Sequence, residues 1–239
     1  MQSALLAGLL PTRSPVNTFI LNIHDENNQQ LGLAQTRTRP DRPEQDIIFL
    51  SPALTHGNGS HAIWQRLLSN VCIKAGESGH HRIYARIDNS TEDALQIFRH
   101  VGFSSYTQEH IFLLSDAILA CNKTEDIYLR KQTSADSWSL QRLYAAITPR
   151  KVQVAEGLAQ GQWQISNHLF RHHGQRLGFV WESDGEILAV FHVYTGKKGC
   201  WFKMLIHPDV MLQTQQLLGT FLSMFGHVQG KSIYCSLRT

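Results

Sequence analysis

The sequence predicts an α/β protein with mixed, mostly antiparallel sheets, flanking helices and an internal duplication. Three observations predict it. Short β-rich runs alternate with helical patterns along the whole chain, two of the strand pairs are separated by tight polar turns, and the order of elements in the first half returns in the second.

The elements follow in order. In Asn17–Ile23, Phe19, Leu21 and Ile23 alternate with their neighbours; the polar turn His24 to Asn28 follows, and then Leu31–Thr38, which together read as a β-hairpin. Asp46–Leu50 is a third strand, followed by a loop from Ser51 to Gly59. Ser60 is placed to cap a helix carrying Ile63, Leu67, Leu68, Val71 and Cys72 at helical spacing, with Gly76 and Gly79 at its end. Arg82–Ile87 reads as a short strand. Ser90 and Asp93 then open a helix over Ala94, Ile97, Phe98 and Val101 that Gly102 stops. Ser105–Leu114 is expected to close this half with another strand.

The second half begins with a strand at Ile127–Arg130. A helix from Asp136 through Leu140, Leu143, Tyr144 and Ile147 stops at Pro149, and a less periodic helix is expected over Lys151–Leu158. Phe179–Glu182 and Ile187–Tyr194 flank a Ser183-Asp184-Gly185 turn. A strand at Cys200–Ile206, a helix over Leu212 to Phe225 and a strand at Ser232–Leu237 complete it. Leu31-Gly32 answers to Leu188-Ala189 and Pro52 to Pro208 at the same spacing within one residue; Tyr84 and Tyr234 lie six residues closer, a shortening that falls opposite Thr55 to Ser60. The halves are drawn at residues 1–120 and 121–239.

Composition sets the outer limits. With 239 residues, 42% hydrophobic and 17% charged, the chain is too apolar for a disordered polymer. No stretch of about 18 apolar residues is present to span a bilayer, and the first ten residues lack a basic start and a cleavage site, so a cytoplasmic location is expected. A net charge of +3 with no basic run argues against nucleic acid and against a membrane surface. Four scattered cysteines form neither a disulfide framework nor a zinc motif. His168 and His172 have helical i, i+4 spacing but no third ligand, and His80-His81 alternates faces, so no metal site is expected. Trp138, Trp163, Trp181 and Trp201 read as packing residues, with an aromatic acceptor pocket as the sharper alternative.

One loop has chemical use. His56-Gly57-Asn58-Gly59-Ser60 lies between a strand and a helix, where small residues let backbone N–H groups converge on an anion at the positive end of the helix dipole.

With Asn89 at a strand end and Ala94-x-x-Ile97-Phe98-x-x-x-Gly102-Phe103 after it, the chain resembles the GCN5-related N-acetyltransferases, and it does so in two tandem modules, each incomplete. The first module lacks the family's opening strand and acceptor-side helices; the second lacks its last helix and strands. The resemblance implies an acyl-CoA N-acyltransferase-like fold and transfer of an acetyl group from acetyl-CoA to a small-molecule or peptide amine. It places Leu50 and Ser51 along the pantetheine arm and Gly57, Asn58, Gly59 and Ser60 at the pyrophosphate, with Asn89 and Phe98 beside the coenzyme. Two departures stand out: Leu54 replaces the family's polar or basic residue before the glycines, and Phe98 replaces the tyrosine that commonly donates a proton. The second half's His207-Pro208-Asp209 leaves no room for the loop. Glu44 and Asp46 are the base candidates, acting through water. The alternative is a degenerate binding, sensor or scaffolding protein without catalysis. An incomplete module would leave a sheet edge open, so the halves are expected to pack together or to be completed by another chain, and a homo-oligomer stays open.

Overall fold

The computed structural model describes residues 16–25, 28–39, 42–54, 60–114, 127–157, 175–196, 199–225 and 232–238. Two compact units divide at Ser104 and Ser105.

Unit one holds strands β1 (Val16–Asp25), β2 (Asn28–Thr38), β3 (Glu44–Ser51) and β4 (Arg82–Ala85) in the order β1-β2-β3-β4, antiparallel except for the parallel β3–β4 pair. Helix α1 (Ser60–Glu77) makes that parallel crossover, as a parallel pair requires. It packs Ile63, Leu67 and Val71 on Ala34, in the apolar stripe read from the sequence. The helix runs through Gly76 and ends at Gly79, whose φ of +75° turns the chain so that His80 donates its N–H to the Ala75 carbonyl. Helix α2 (Glu92–His100) follows β4. Ser90 does not cap it: its N–H and Oγ donate to Asp88 Oδ1 at 2.9 and 2.7 Å, and Thr91 occupies the cap position.

Unit two contains β5 (Glu109–Leu114), β6 (Arg130–Lys131), α3 (Ser137–Ile147), α4 (Arg150–Glu156), β7 (Gln175–Ser183), β8 (Glu186–Thr195), β9 (Gly199–Ile206), α5 (Thr214–Phe225) and β10 (Ser232–Arg238). Its sheet runs β5-β10-β9-β8-β7-β6. The run β7-β8-β9-β10 is paired antiparallel, antiparallel, parallel, as β1-β2-β3-β4 is. The β7–β8 turn uses Asp184 and Gly185 at φ +52° and +78°, the left-handed pair that a two-residue hairpin demands. Phe191 stacks on Phe221 of α5 at 4.4 Å on one face of the sheet, and Leu140, Leu143 and Tyr144 of α3 cover the other.

Two further sequence expectations are corrected here. Ile127–Leu129 is not a strand but an irregular segment whose Ile127 and Leu129 are buried in the core; pairing starts only at Arg130. The strand expected to close the first half, β5, instead pairs antiparallel with β10 from Ile233↔Leu114 to Arg238↔Glu109. Alternation specifies that a strand forms, not which edge it joins.

Asp136 locks the start of α3. Its carboxylate accepts from Arg130 Nη1 and Nη2 at 2.9 and 2.8 Å and from the Thr133 N–H at 2.6 Å, and the Arg130 guanidinium, ahead of its other surroundings, holds the carboxyl below the usual range. A carboxyl depressed in the folded state stabilises fully above its unfolded pKa of about 3.9 and loses that contribution as pH falls through the lower folded value. Asp136→Asn is expected to cost about 2 kcal/mol at pH 7 and to flatten the acid limb of a thermal-unfolding pH series below pH 4. An unchanged acid limb would remove Asp136 from that role.

Candidate functional site

The site begins where two strands separate. β3 and β4 pair only from Glu44↔Arg82 to Ile47↔Ala85. Past Ile47, β3 continues alongside β2 through Gln35↔Phe49, Ala34↔Leu50 and Leu33↔Ser51, with Ile48 as the extra residue of a bulge. On the β4 side, Ile48–Ser51 have no strand partner among the described residues. β4 ends at Ala85, and the chain turns through Asp88, whose carbonyl accepts from the Thr91 N–H at 3.0 Å. The result is a strand edge with alternate N–H and C=O groups facing a gap, and an extended ligand with amide groups can continue that ladder.

Beyond Ser51 the chain leads on to α1. Ser60 is fully buried there and no acidic residue lies in the first turn to offset the dipole. Apolar side chains form the base: Leu50 and Leu54 pack against the cluster of Leu68, Ile97 and Phe98. Trp64 Nε1 donates to the Pro52 carbonyl at 2.8 Å and its ring meets Phe98 edge-on at 6.4 Å, tying the end of β3 to α1. Trp64 escapes a sequence reading that looks for charge and glycine, although its place on the Ser60, Trp64, Leu68 helical stripe is visible in the spacing.

At the opposite, paired end of β3 lies a charged cluster. Glu44, 1% exposed, accepts from Arg39 at 3.2 Å, Arg42 at 2.6 Å and Arg82 at 3.5 Å. Asp46 accepts from Arg39 Nε and Nη2. The Arg39 guanidinium lies 4.0 Å over the Tyr84 ring, and burial, with the Glu44 charge behind it, pushes the Tyr84 hydroxyl up to about 12.

No protein-family profile matches the chain, and no curated protein matches it. Among solved structures it is similar to a GCN5-related N-acetyltransferase from Sphaerobacter thermophilus, with a TM-score of 0.60 and 11% identity over 100% of this chain and 77% of that one. The fold is that of the GCN5-related N-acetyltransferases. It is also similar to a functionally unknown conserved protein from Staphylococcus epidermidis, with a TM-score of 0.50 and 11% identity over 92% of this chain and 84% of that one.

Within the acetyltransferase fold the sequence-derived residues are distributed as follows. Leu50 and Ser51 lie on the unpaired edge of β3, and Ser60 begins α1. Gly57, Asn58 and Gly59 lie outside the described residues, as do Trp163, His168 and His172. Asn89 is exposed in the turn after β4. Phe98 is 4% exposed and packs edge-on against Phe103 at 5.0 Å, so its ring is core rather than lining. Glu44 and Asp46 are engaged by arginines, and at roughly 3.3 Å per residue Asp46 stands about 13 Å along the strand from Leu50. Among the described residues no group of three or more His, Cys, Asp or Glu converges for a metal, and no helix is long and apolar enough to cross a membrane.

Proposed function

We propose that unit one binds an acyl-coenzyme A, acetyl-CoA in the first instance, and that the chain transfers its acyl group to a small-molecule or peptide amine. The observation that carries this reading is the parting of β3 and β4 after Ile47 and Ala85, which leaves Ile48–Ser51 as a free ladder for the pantetheine amides. The pyrophosphate would meet the first turn of α1 and the Gly57-Asn58-Gly59 loop, read from sequence. In the transfer, the amine nitrogen attacks the thioester carbonyl, the carbon–sulfur bond breaks, coenzyme A leaves as the thiolate, and the ammonium proton passes to solvent or to a base. Alignment of two bound substrates supplies the main rate advantage available here.

A second reading, ligand binding without turnover, draws on a specific observation. Phe98 has no proton to give and is packed in the core, while both candidate base carboxylates, Glu44 and Asp46, lie at the far, paired end of β3 and are held by guanidinium groups.

Titration calorimetry with acetyl-CoA, followed by amide exchange, separates these readings from a purely architectural likeness. Binding is expected together with at least tenfold slower exchange at alternate amides of Ile48–Ser51. Thiol release on a panel of amines then assigns transfer, and its absence assigns the sensor. Absence of heat and of protection removes both.

A further inference from the structure

Unit two repeats the strand parting of unit one and changes what surrounds it. β9 and β10 pair in parallel only from Gly199↔Ser232 to Lys203↔Ser236. Beyond that, Met204, Leu205 and Ile206 stay with Phe191, Val190 and Ala189 of β8, while Leu237 and Arg238 stay with His110 and Glu109 of β5. Each wall of the parting is held from behind, so it is not a frayed end. Burial changes at the same point. Cys200, Phe202, Ile233 and Cys235 are buried, whereas Met204, Ile206 and Leu237, next along the same sheet face, are only partly so.

The hydrogen bonds between β8 and β9 aim the main chain. The Gly196 N–H donates to the Gly199 carbonyl and the His207 N–H to the Leu188 carbonyl, each at 2.8 Å. Such pairs alternate along an antiparallel ladder, so Leu205 faces β8 and Ile206 turns its N–H and C=O the other way, into the parting. On the other wall, Arg238 Nη2 donates to Glu156, which also accepts from the Tyr144 hydroxyl at 2.7 Å. The Arg238 Nε–H is buried and has no acceptor. A buried donor without a partner favours any ligand that brings it a carbonyl oxygen.

The surroundings do not suit a phosphate. The chain passes from β9 to α5 through Pro208, which has no N–H, and a 3-10 segment in which the Asp209 N–H is given to His207 Nδ1 and the Val210 N–H to the His207 carbonyl. Asp209, 82% exposed, adds a negative charge in that first turn. The cations on the two walls are matched, Arg238 by Glu156 and Lys203 by Glu109.

We propose that the β9–β10 parting binds an extended, uncharged peptide segment. Its main chain continues the ladder at Ile206 and gives one carbonyl to Arg238 Nε, and an apolar side chain lies toward Met204, Ile206 and Leu237. This site does not depend on the acyl-CoA reading of unit one.

The probe is a set of tetrapeptides of alternating valine and threonine, capped by acetyl and amide groups. Calorimetric titration into the full chain is expected to show one peptide bound per chain, with exchange of the Ile206 amide slowed roughly tenfold and the Ile48–Ser51 amides unaffected. Arg238→Lys keeps a cation for Glu156 but lacks the Nε–H, and should weaken the peptide about fivefold with unchanged circular dichroism. Ile206→Pro removes an N–H that β8 does not use and should weaken it likewise; Arg238→Lys decides the matter where the proline variant does not fold. Acetyl-CoA should leave the Ile206 amide unprotected. No peptide heat, full peptide affinity in Arg238→Lys, or protection of Ile206 by acetyl-CoA would each overturn the proposal. Peptide binding without any acetyl-CoA binding would uphold it and remove the unit-one reading alone.

Discussion

Glu44→Ala is expected to lower the stability of unit one by about 3 kcal/mol, among the larger single-site effects in this chain. Three guanidinium groups, from Arg39, Arg42 and Arg82, are bonded to this one carboxylate. Removing it takes one shared anion from three neighbouring cations, of which Arg39 keeps its bond to Asp46. Loss of one partner from a fully buried pair costs about 3–5 kcal/mol, and the partial exposure of Arg39 and Arg82, at 31% and 41%, places this case at the lower end. Glu44→Gln keeps the volume and discards the charge, so about 2 kcal/mol of the loss should remain. Denaturant midpoints measure both. A loss below about 1 kcal/mol in Glu44→Ala would show that the cluster is solvated. The same variants address the base hypothesis: in Glu44→Gln under conditions where it is folded, acetyl-CoA affinity should be unchanged, because the residue lies at the paired end of β3.

Why the cluster was hidden from the sequence is instructive. Arg39, Arg42 and Glu44 are neighbours in the chain, but Arg82 is brought over Glu44 only by the parallel β3–β4 register. A surface carboxylate and a buried one look alike in a string of letters, and burial is what converts Glu44 from a candidate base into a structural anion. The elements themselves were legible where a period was strong. The β1–β2 hairpin, α1 and α2 follow the alternation and the helical spacing closely. The strand read as Arg82–Ile87 stops at Ala85, although Arg86 and Ile87 continue the alternation, because pairing with β3 ceases there. Those two residues are the difference between a closed sheet and the gap on which the proposed coenzyme site depends. Likewise β5 was recognisable as a strand while its destination was not. The phosphate-loop reading of Gly57 to Gly59 rests on sequence alone.

Gly32 carries the second large effect, and here two general tendencies oppose each other. A glycine within a strand weakens it, and replacement by alanine ordinarily gains about 0.5–1 kcal/mol through backbone entropy. Gly32 pairs with Leu21 in β1 and lies directly beneath α1. A Cβ at this position would overlap Ile63 Cγ2 and stand 3.0 Å from Leu67 Cδ1. Ile63 is β-branched, so its Cγ2 follows the helix backbone and has little freedom to move aside, and both residues are at most 2% exposed. Overpacking of about 1–3 kcal/mol therefore outweighs the entropic gain, and Gly32→Ala should lose roughly 2 kcal/mol, with Gly32→Val losing more. The cause is separable from a general intolerance of substitution. Ile63→Ala alone should cost about 3 kcal/mol by leaving a cavity. Combined with Gly32→Ala it should cost at least 1 kcal/mol less than the sum of the two, because the new methyl fills space that the lost Cγ2 vacates. Strict additivity in that cycle would mean that α1 does not approach β2 as closely as the structure places it.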